Sequence, residues 1–481
     1  MFDCRKILFI TDIIDNFIGR EALGIMYLSA ALKTAGHATF VCNFSFESAL
    51  KMIREIKPEF VAYSIATGFH KKYLELNSKL KNHEEFISIF GGPHATFYPE
   101  MIELPGIDAV CRGEGEEAIV ELVGNYPEKS DIKNWWLKNA TGNIIKNPMR
   151  PLNNNLDSHS LPDRKLFYDK YPAARNSKIK SFMSARGCPF ACTYCFNHSF
   201  FELYKGNYEK KLRLRSVDNL LLEIYEVKSH HPLDFVHFAT DTFIFDKKWL
   251  AEFSEKYKQK IGLPFFCGVR AELVTEEIAE LLADAGCRSV SMGIECGNEK
   301  LRERLLKRRQ SNADLIRGAE NLNKFKINIL SQNMIGLPDE TFEQMLETLD
   351  LNRKCKVSYA EVSFFQPYPR TELGEYAVKQ GLFTGNVDDI SESFNKAPSV
   401  KGVSEVQLNN LHKLFAIAVE FYIIRICLKF LIKLPDNKVY KIIFKILKGY
   451  RGKFSIFPHK LTLREYLISI KRYLIDSGDY R

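Results

Sequence analysis

The sequence predicts an α/β fold with two successive parallel-sheet regions and a helical C-terminal region. Short apolar runs of strand length alternate with segments of helical apolar spacing over most of the 481 residues. Strands that alternate with helices in this way pair in parallel. A basic segment with helical patterning begins after about residue 385. The expected boundaries are a first domain over 1–126, a linker over 127–180, a second domain over 181–385 and a basic helical region over 386–481.

The composition indicates a multidomain globular protein. Hydrophobic residues make up 46% of the chain, which excludes an intrinsically disordered or collagen-like protein. The eleven cysteines are odd in number and mostly scattered, which is not typical of a secreted disulfide scaffold. The N-terminal residues contain no signal-peptide pattern, and no charge-free apolar run reaches the roughly 18 residues of a membrane span. We therefore expect a cytoplasmic protein.

The first domain is expected to be a doubly wound parallel sheet. Its strands are the apolar runs KILFI, ATFVCN, FVAYSI, FISIF and IDAVC. Ligands of such sheets bind beyond the carboxyl ends of the strands. The helix between the first two strands ends at Gly36, and its expected buried stripe is Leu28, Ala31, Leu32 and Ala35.

Small residues end two neighbouring strands of this domain. Ser64 ends the third strand, and Gly91 and Gly92 end the fourth. Residues of this size leave a slot in which a long, slender group can lie at the edge of the sheet. A helix beginning after Gly115 could in addition receive a phosphate at its N-terminus. His94 has two open interpretations, a residue that faces a ligand or a residue of a surface turn.

The rest of the chain up to residue 385 divides into a linker and a partial barrel. Residues 127–180 are rich in Asn, Pro and Asp, which predicts a linker with a short hairpin. About six strand–helix units follow, enough for a partial barrel with its chemistry at the carboxyl ends of the strands. The clearest helix begins after Thr275 as N-cap and ends at Gly286, with the expected core stripe Ile278, Leu281, Leu282 and Ala285.

The strongest chemical motif is RGCPFACTYCFN, in which Cys188, Cys192 and Cys195 are spaced C-x3-C-x2-C. Three thiolates on one loop can bind three irons of a [4Fe-4S] cluster and leave the fourth iron open to an outside ligand. The alternative is a zinc half-site completed by a distant ligand such as His198. Zinc sites usually contain C-x2-C pairs, so the spacing favours the iron–sulfur cluster.

The cysteine motif resembles that of radical S-adenosylmethionine (SAM) enzymes, and the resemblance extends over residues 180–385. It implies that the open iron binds SAM, whose reductive cleavage gives methionine and a 5′-deoxyadenosyl radical. It also implies an external electron donor of the flavodoxin or ferredoxin type. A second acidic residue is commoner in this family at the position of Thr240. The implied SAM contacts are Tyr194 beside the adenine, Thr240 and Asp241 toward the methionine, Glu295, Gln332 or Asn333 near the ribose, and Gly336 as a site of close backbone approach.

The first domain resembles the cobalamin-binding domain that precedes some radical SAM domains. In that family the slot formed by Ser64, Gly91 and Gly92 holds the nucleotide tail of cobalamin. Many such domains ligate cobalt with a histidine from the loop after the first strand. Here Asn16 stands three residues before Gly19 in that loop, so we expect base-off cobalamin without a histidine ligand. A flavodoxin-like domain without this ligand is the alternative.

The two resemblances together imply a cobalamin-dependent radical SAM methyltransferase. Such an enzyme transfers a methyl group from methylcobalamin to an unactivated carbon after the 5′-deoxyadenosyl radical has removed a hydrogen. One alternative is an oxidative cyclase or rearrangement enzyme with the same cofactors. Another is a non-catalytic iron–sulfur or corrinoid carrier protein, which would need neither an open iron nor SAM motifs.

The C-terminal region is strongly basic. Residues 401–481 contain 16 Lys+Arg and 6 Asp+Glu, so this segment accounts for the net charge of +9. A helical cap on the barrel with lysines in solvent is the simpler interpretation. Peripheral contact with a membrane or a lipid-like substrate is the alternative, whereas nucleic acid is not expected because base-stacking aromatics are lacking on the same face. The cations with helical spacing are Arg425, Lys429, Lys433, Lys438, Lys441, Lys445 and Lys448.

Overall fold

The structure, a computed structural model, describes residues 4–13, 21–139, 141–394 and 404–459. It divides into two compact units. The described residues up to 177 and residues 200–213 form unit 1, and the others form unit 2. Asn16 and Gly19 lie outside the described residues.

Unit 1 contains a seven-stranded sheet in the order β2-β1-β3-β4-β5-β6-β7. The first five strands pair in parallel and the last two are antiparallel. The strands are β1 (Lys6–Thr11), β2 (Ala38–Asn43), β3 (Phe60–Ser64), β4 (Ile87–Gly91), β5 (Ala109–Cys111), β6 (Trp135–Lys138) and β7 (Ile144–Lys146). The helices are α1 (Leu23–Thr34), α2 (Phe46–Ile56), α3 (His70–Lys81), α4 (Gly92–Phe97), α5 (Glu116–Asn125), α6 (Lys165–Tyr168) and α7 (Pro172–Asn176).

Both faces of this sheet are buried. Ile7 and Phe9 of β1 belong to a core on one face, and Leu8 and Ile10 belong to a core on the other. Successive side chains of a strand point to opposite faces, so a continuous apolar strand requires helices on both sides. The predicted doubly wound, flavodoxin-like domain is confirmed.

Residues 127–177 are part of unit 1 and differ from the predicted linker. The strands β6 and β7 extend the sheet, with Leu137 opposite Ala109 of β5. Trp135 is buried and donates a hydrogen bond from Nε1 to the carbonyl of Ala118 at 2.8 Å. The expected hairpin is present, and it packs because its apolar side chains cover the edge of the sheet.

The buried face of α1 also differs from the prediction. Of the expected stripe only Leu32 is fully buried. The buried face includes Ser29, whose hydroxyl contacts Thr39 Oγ1 and donates to Asp163 Oδ2, both at 2.6 Å. A buried serine with two partners cannot be recognised from apolar spacing, and this explains the difference.

Unit 2 is built on six parallel strands paired in chain order, β8-β9-β10-β11-β12-β13. The strands are β8 (Ile179–Phe182), β9 (Phe235–Phe238), β10 (Phe265–Val269), β11 (Cys287–Glu295), β12 (Asn328–Ile335) and β13 (Tyr359–Phe364). The helices are α8 (Phe196–Leu203, whose last four residues belong to unit 1), α9 (Val217–His230), α10 (Lys247–Lys260), α11 (Glu276–Asp284), α12 (Glu299–Leu306), α13 (Asn312–Lys324), α14 (Phe342–Lys354), α15 (Glu372–Lys379), α16 (Glu405–Glu420), α17 (Tyr422–Leu431) and α18 (Lys438–Arg451).

This unit confirms the predicted partial barrel with six strand–helix units. Thr275 caps α11 by accepting a hydrogen bond from the Ile278 backbone, and Gly286 follows the helix with φ +96°. Of the expected stripe, Ile278, Leu282 and Ala285 are buried, whereas Leu281 is half-buried.

The C-terminal helices of unit 2 pack on the barrel and close one end of it. Apolar residues of α16 pack with those of β13 and α14. After α18 the chain enters the barrel from the end where the strands begin. There Phe457 packs against Phe235 and Phe266, and Ser289 donates a hydrogen bond to the carbonyl of Ile456. Across the described ranges, every helix is too short or too polar to cross a membrane.

Candidate functional site

In unit 1, the predicted slot residues meet at the carboxyl edge of the sheet. Ser64 lies opposite Gly91 in the register of β3 and β4. Gly92 has φ +88°, and a Cβ on it would lie 2.8 Å from the Ile65 nitrogen and 3.0 Å from Ser64 Oγ. The backbone after β4 therefore passes directly over the end of β3, which only glycine permits. Ser64 is exposed at this edge.

Two further predictions for unit 1 concern His94 and the N-terminus of α5. His94 is buried, stacks on His70 with ring centroids 4.1 Å apart and contacts Thr67 Oγ1 at 3.1 Å, so it is not a residue of a surface turn. The helix α5 does begin after Gly115, but Glu116 and Glu117 lie in its first turn. Their negative charges disfavour binding of a phosphate at this helix N-terminus.

In unit 2, the cysteine loop follows β8 at the carboxyl end of the barrel. The Thr193 backbone donates to the carbonyl of Leu306 at 3.3 Å, and the Leu373 backbone donates to the carbonyl of Thr193 at 3.0 Å. These bonds fix the loop to the end of α12 and the start of α15. The positive φ of Gly187 (+87°) allows the chain to turn into the loop.

The thiols of Cys188, Cys192 and Cys195 lie near one another. Burial raises the pKa of Cys195 to about 12, with smaller contributions from Asp241 and the neighbouring thiols of Cys192 and Cys188. Among the described side chains, no three His, Cys, Asp or Glu residues are placed to bind one metal ion. The thiolates of a four-iron cluster each bind a different iron, so such a cluster does not require the three sulfurs to meet at one point.

Glu295 lies at the end of β11 in a buried polar network. The Tyr194 hydroxyl donates to Glu295 Oε1 at 3.1 Å, and Arg308 Nη1 lies 3.6 Å from the same oxygen. Arg308 also donates to the Tyr194 hydroxyl at 3.1 Å and to the carbonyl of Gly293 at 2.8 Å. Burial raises the pKa of Glu295, and the nearby positive charge of Arg308 opposes the rise.

The backbone at Glu295 is in the left-handed region, with φ +66°, beside an irregularity in the pairing of β11 with β12. This conformation costs free energy for a residue other than glycine and is often found at functional sites. A Cβ on Gly293 would lie 2.5 Å from Glu295 Oε1 and 3.1 Å from Arg308 Nη2. The glycine of the sequence motif therefore makes room for the network.

The two residues predicted to meet the methionine differ in their environment. Thr240 is buried, and its hydroxyl contacts Ser184 Oγ at 2.9 Å and accepts from the Ser184 backbone at 3.1 Å. It therefore holds the segment between β8 and the cysteine loop. Asp241 is exposed and accepts from Asn197 at 2.8 Å, and the next residue, Thr242, lies 3.9 Å from Cys188 Sγ. Only Asp241 of this pair faces open space.

Gln332 and Asn333, which the sequence does not separate, lie on opposite faces of β12. The Asn333 side chain accepts from Asn352 of α14 at 2.7 Å and donates to the carbonyl of Glu361 at 2.8 Å, so it points away from the barrel interior. Gln332 pairs in register with Gly293. Gly336 has φ +76°, and a Cβ on it would lie 3.3 Å from Leu408 Cδ2. Gly336 therefore allows the turn after β12 and the packing of α16, and its close approach to a ligand stays a prediction.

Two arginines of this site were not predicted from the sequence. Arg270, directly after β10, donates to Cys192 Sγ at 3.5 Å and to Gln310 Oε1 at 2.9 Å, and its guanidinium lies 3.6 Å from the centre of the Phe190 ring. Arg308 Nη1 lies 4.0 Å from the same sulfur. The position of Arg270 at the carboxyl end of a strand is the signal that could have identified it.

Several buried polar atoms of this network have no partner in the described part of the chain. They are Arg308 Nε, Gln310 Nε2 and Glu272 Oε2. Buried polar groups are normally hydrogen-bonded, so such atoms indicate an absent ligand or water. A zwitterionic ligand has a carboxylate that can accept from the two nitrogen donors and an amino group that can donate to the Glu272 oxygen. The residues present therefore fit a SAM molecule beside a cluster.

Comparisons with known proteins agree with the predicted class of each unit. The sequence profile of the radical SAM superfamily matches residues 183–351, and that of the B12 binding domain matches residues 21–123. An uncharacterized methyltransferase of Pyrococcus horikoshii is 30% identical over 373 residues, which cover 75% of this chain and 79% of that protein. The anaerobic magnesium-protoporphyrin IX monomethyl ester cyclase of Rubrivivax gelatinosus is 26% identical, over 73% of this chain and 65% of the cyclase.

A solved structure extends the agreement to the fold. The cobalamin-dependent S-adenosylmethionine radical enzyme OxsB, with aqua-cobalamin and S-adenosylmethionine bound, has a TM-score of 0.69 at 15% identity. The similarity covers 93% of this chain and 71% of OxsB. The chain belongs to the radical SAM superfamily and carries a B12 binding domain before its radical SAM domain.

Proposed function

We propose that this protein is a cobalamin-dependent radical SAM methyltransferase that acts on an unactivated carbon of a small-molecule substrate. The observation that carries the proposal is the presence, in one chain, of the three-cysteine loop at the carboxyl end of a partial barrel and the Ser64–Gly91 edge of a flavodoxin-like sheet. When bound, the iron–sulfur cluster, SAM and cobalamin supply the reductive cleavage and methyl transfer on which such chemistry depends.

The residues of the chain have separate roles in this proposal. Cys188, Cys192 and Cys195 bind the cluster, and Arg270 and Arg308 donate to the sulfur of Cys192. These two charge-assisted contacts stabilise a thiolate in a buried place. The loop stays in position because Thr193 is bonded to α12 and α15.

SAM is held, in this proposal, by groups that have room or unused hydrogen-bonding capacity. Arg308 and Gln310 offer donors to its carboxylate, and Glu272 and Asp241 offer acceptors to its amino group. Glu295 and Tyr194 bond to each other and to Arg308, so a ligand that moves one of them moves the others. Gln332 is the candidate for the ribose, because Asn333 is engaged with α14.

Cobalamin is held along the carboxyl edge of unit 1, with its nucleotide tail beside Ser64, Gly91 and Gly92. We propose base-off binding without a histidine ligand, on the grounds that the first loop contains no histidine. The ring of His94 is stacked on those of His70 and Tyr98.

An oxidative cyclase with the same cofactors is the second candidate, and the similarity to the Rubrivivax gelatinosus cyclase favours it. Methyl transfer is preferred because the Pyrococcus horikoshii relative, with higher identity and greater coverage, is named a methyltransferase. A non-catalytic carrier is not preferred, since a carrier needs no buried polar network beside its cluster.

The proposal also includes the partners of the protein and its location in the cell. We propose a cytoplasmic enzyme that receives electrons from a flavodoxin or ferredoxin, takes a small-molecule or lipid-like substrate and does not bind nucleic acid. Peripheral membrane contact through the basic C-terminal helices would bring it to a lipid-like substrate.

The proposal is tested by anaerobic reconstitution with iron, sulfide and cobalamin, followed by SAM and a reductant. We expect the native chain to form 5′-deoxyadenosine and the Cys192→Ala variant to form none. Cys427→Ala is the matched control, because this cysteine is exposed on α17, and it should retain full turnover. Equal turnover by Cys192→Ala would refute the proposal. Once a substrate is known, a deuterated SAM methyl group found in the product separates methylase from cyclase.

A further inference from the structure

The helices α17 and α18 leave large apolar side chains in solvent. On α17 these side chains include Ile423, Ile426 and Phe430. On α18 they form one stripe that includes Ile442 and Ile446. Each of the five is more than half exposed. Single exposed apolar residues are ordinary, but stripes of this kind mark an interaction surface.

The exposure of these side chains does not result from loose attachment of the helices. Leu428 and Ile432 are buried in a core that includes residues of α16. Arg425 forms two hydrogen bonds with Asp350 of α14, at 2.8 and 2.7 Å. The opposite side of α17 is therefore firmly packed, and its exposed stripe is a fixed surface.

The helix α18 is held in the same way. Tyr440 is buried and donates from its hydroxyl to the carbonyl of Leu431 at 3.1 Å. Arg451 forms an ion pair with Glu420 of α16, and Lys448 forms one with Glu361 of β13. In both helices the apolar stripe therefore lies on the side opposite to the anchoring contacts.

The charge around the stripes selects the kind of partner. Residues 421–459 contain nine Lys and Arg and one acidic residue, Asp436, and Asp436 is paired with Lys413. Lys433, Lys438 and Lys441 are exposed beside the apolar positions. A second copy of this surface would bring like charges together, whereas an anionic surface with an apolar layer beneath it satisfies both features.

We propose that α17 and α18 form an interfacial surface that binds an anionic lipid bilayer. The apolar stripes insert at the level of the headgroups and the lysines contact lipid phosphates. The inference builds on the peripheral location within the proposed function. Its test needs no turnover, so its failure would leave the enzyme proposal standing.

Co-sedimentation of the reconstituted full chain with vesicles tests this surface. We expect binding to vesicles of phosphatidylcholine with an equal amount of phosphatidylglycerol, and little binding to phosphatidylcholine alone. The triple variant Ile423→Ser, Ile426→Ser and Phe430→Ser should bind at least about tenfold more weakly than the native chain. The matched control is Leu222→Ser with Tyr225→Ser, two exposed apolar residues of α9, and it should bind like the native chain.

The lysines give an independent variant. Replacing Lys433 and Lys441 with Gln should weaken binding about fivefold per residue at low salt, since one cation near an anionic surface contributes about 1 kcal/mol. These side chains are exposed, so the change should leave the melting temperature unaltered.

Three results would overturn the inference. They are absence of binding to anionic vesicles, equal binding by the native chain and the α17 variant, and equal binding to the two kinds of vesicle. Sedimentation velocity gives a fourth. If the native chain does not bind vesicles and forms a dimer that the α17 variant dissociates, the surface is an interface between two copies of the chain.

Discussion

The substitution Gly92→Ala tests the assignment of the cobalamin slot through a single methyl group. Gly92 has φ +88°, where alanine costs roughly 1–2 kcal/mol. Its Cβ would also lie 2.8 Å from the nitrogen and 2.9 Å from the oxygen of Ile65. Both atoms belong to the backbone at the end of β3, which cannot rotate away, and overpacking of this kind adds roughly 1–3 kcal/mol. The added methyl group must therefore displace the chain beside Ser64.

Gly36→Ala is the control for this substitution. Gly36 has φ +91°, and no atom lies within 4 Å of the position of its Cβ. Gly36→Ala therefore causes similar backbone strain in the same unit, but its Cβ does not collide with neighbouring atoms. We expect Gly36→Ala to retain bound cobalamin, and Gly92→Ala to lose most of it.

The assay is the content of cobalamin and iron per chain after reconstitution, with the thermal unfolding midpoint measured in parallel. Iron should stay at the native level in both variants, because the cysteine loop belongs to unit 2. The midpoint should fall further for Gly92→Ala than for Gly36→Ala. Native cobalamin content in Gly92→Ala would refute the placement of the slot at this turn.

Three further outcomes are expected. Gly293→Ala should weaken SAM binding, measured by equilibrium dialysis, because its Cβ would lie 2.5 Å from Glu295 Oε1; unchanged affinity would argue against a role of the network. Arg270→Gln should lower the reduction potential of the cluster in an electron paramagnetic resonance titration, because a donor to the Cys192 sulfur is lost; an unaltered potential would contradict the contact. Burial raises the pKa of Glu340 to about 8 from 4.5, so the folded state retains a proton that the unfolded chain releases, and stability should fall as the pH rises from about 4.5 to about 8. Glu340→Gln should flatten that part of the curve of melting temperature against pH, and a curve parallel to that of the native chain would contradict this cause.

The fold could be predicted where apolar spacing determines it. The apolar residues of the runs KILFI and FVAYSI are buried on both faces of a parallel sheet, and such strands are recognised by their continuous apolar sequence. Thr275 and Gly286 mark the ends of α11 through local capping chemistry. These features depend on neighbouring residues alone.

Features that depend on distant partners could not be predicted. The buried side of α1 includes Ser29, because Thr39 and Asp163 supply its hydrogen bonds. Residues 127–177 resemble a linker in composition, yet Trp135 is buried against α5 through a bond to Ala118. In both places polar residues are part of a packed structure, and composition does not reveal their partners.

The site shows the same division. The spacing of Cys188, Cys192 and Cys195 identifies the cysteine loop from sequence alone. The approach of Arg270 and Arg308 to Cys192 depends on the barrel, which brings together strand ends and loops far apart in sequence. The motif could therefore indicate the cofactor, but not the residues that surround it.

In the proposed function, one chain uses SAM together with both a cluster and cobalamin. The most direct test is anaerobic incubation of the reconstituted chain with SAM deuterated in its methyl group and a reductant, followed by mass spectrometry of the nucleoside and the corrin. We expect that 5′-deoxyadenosine is formed and that the deuterated methyl group is recovered on the corrin. Absence of both products from a chain with full iron and cobalamin content would contradict the proposal.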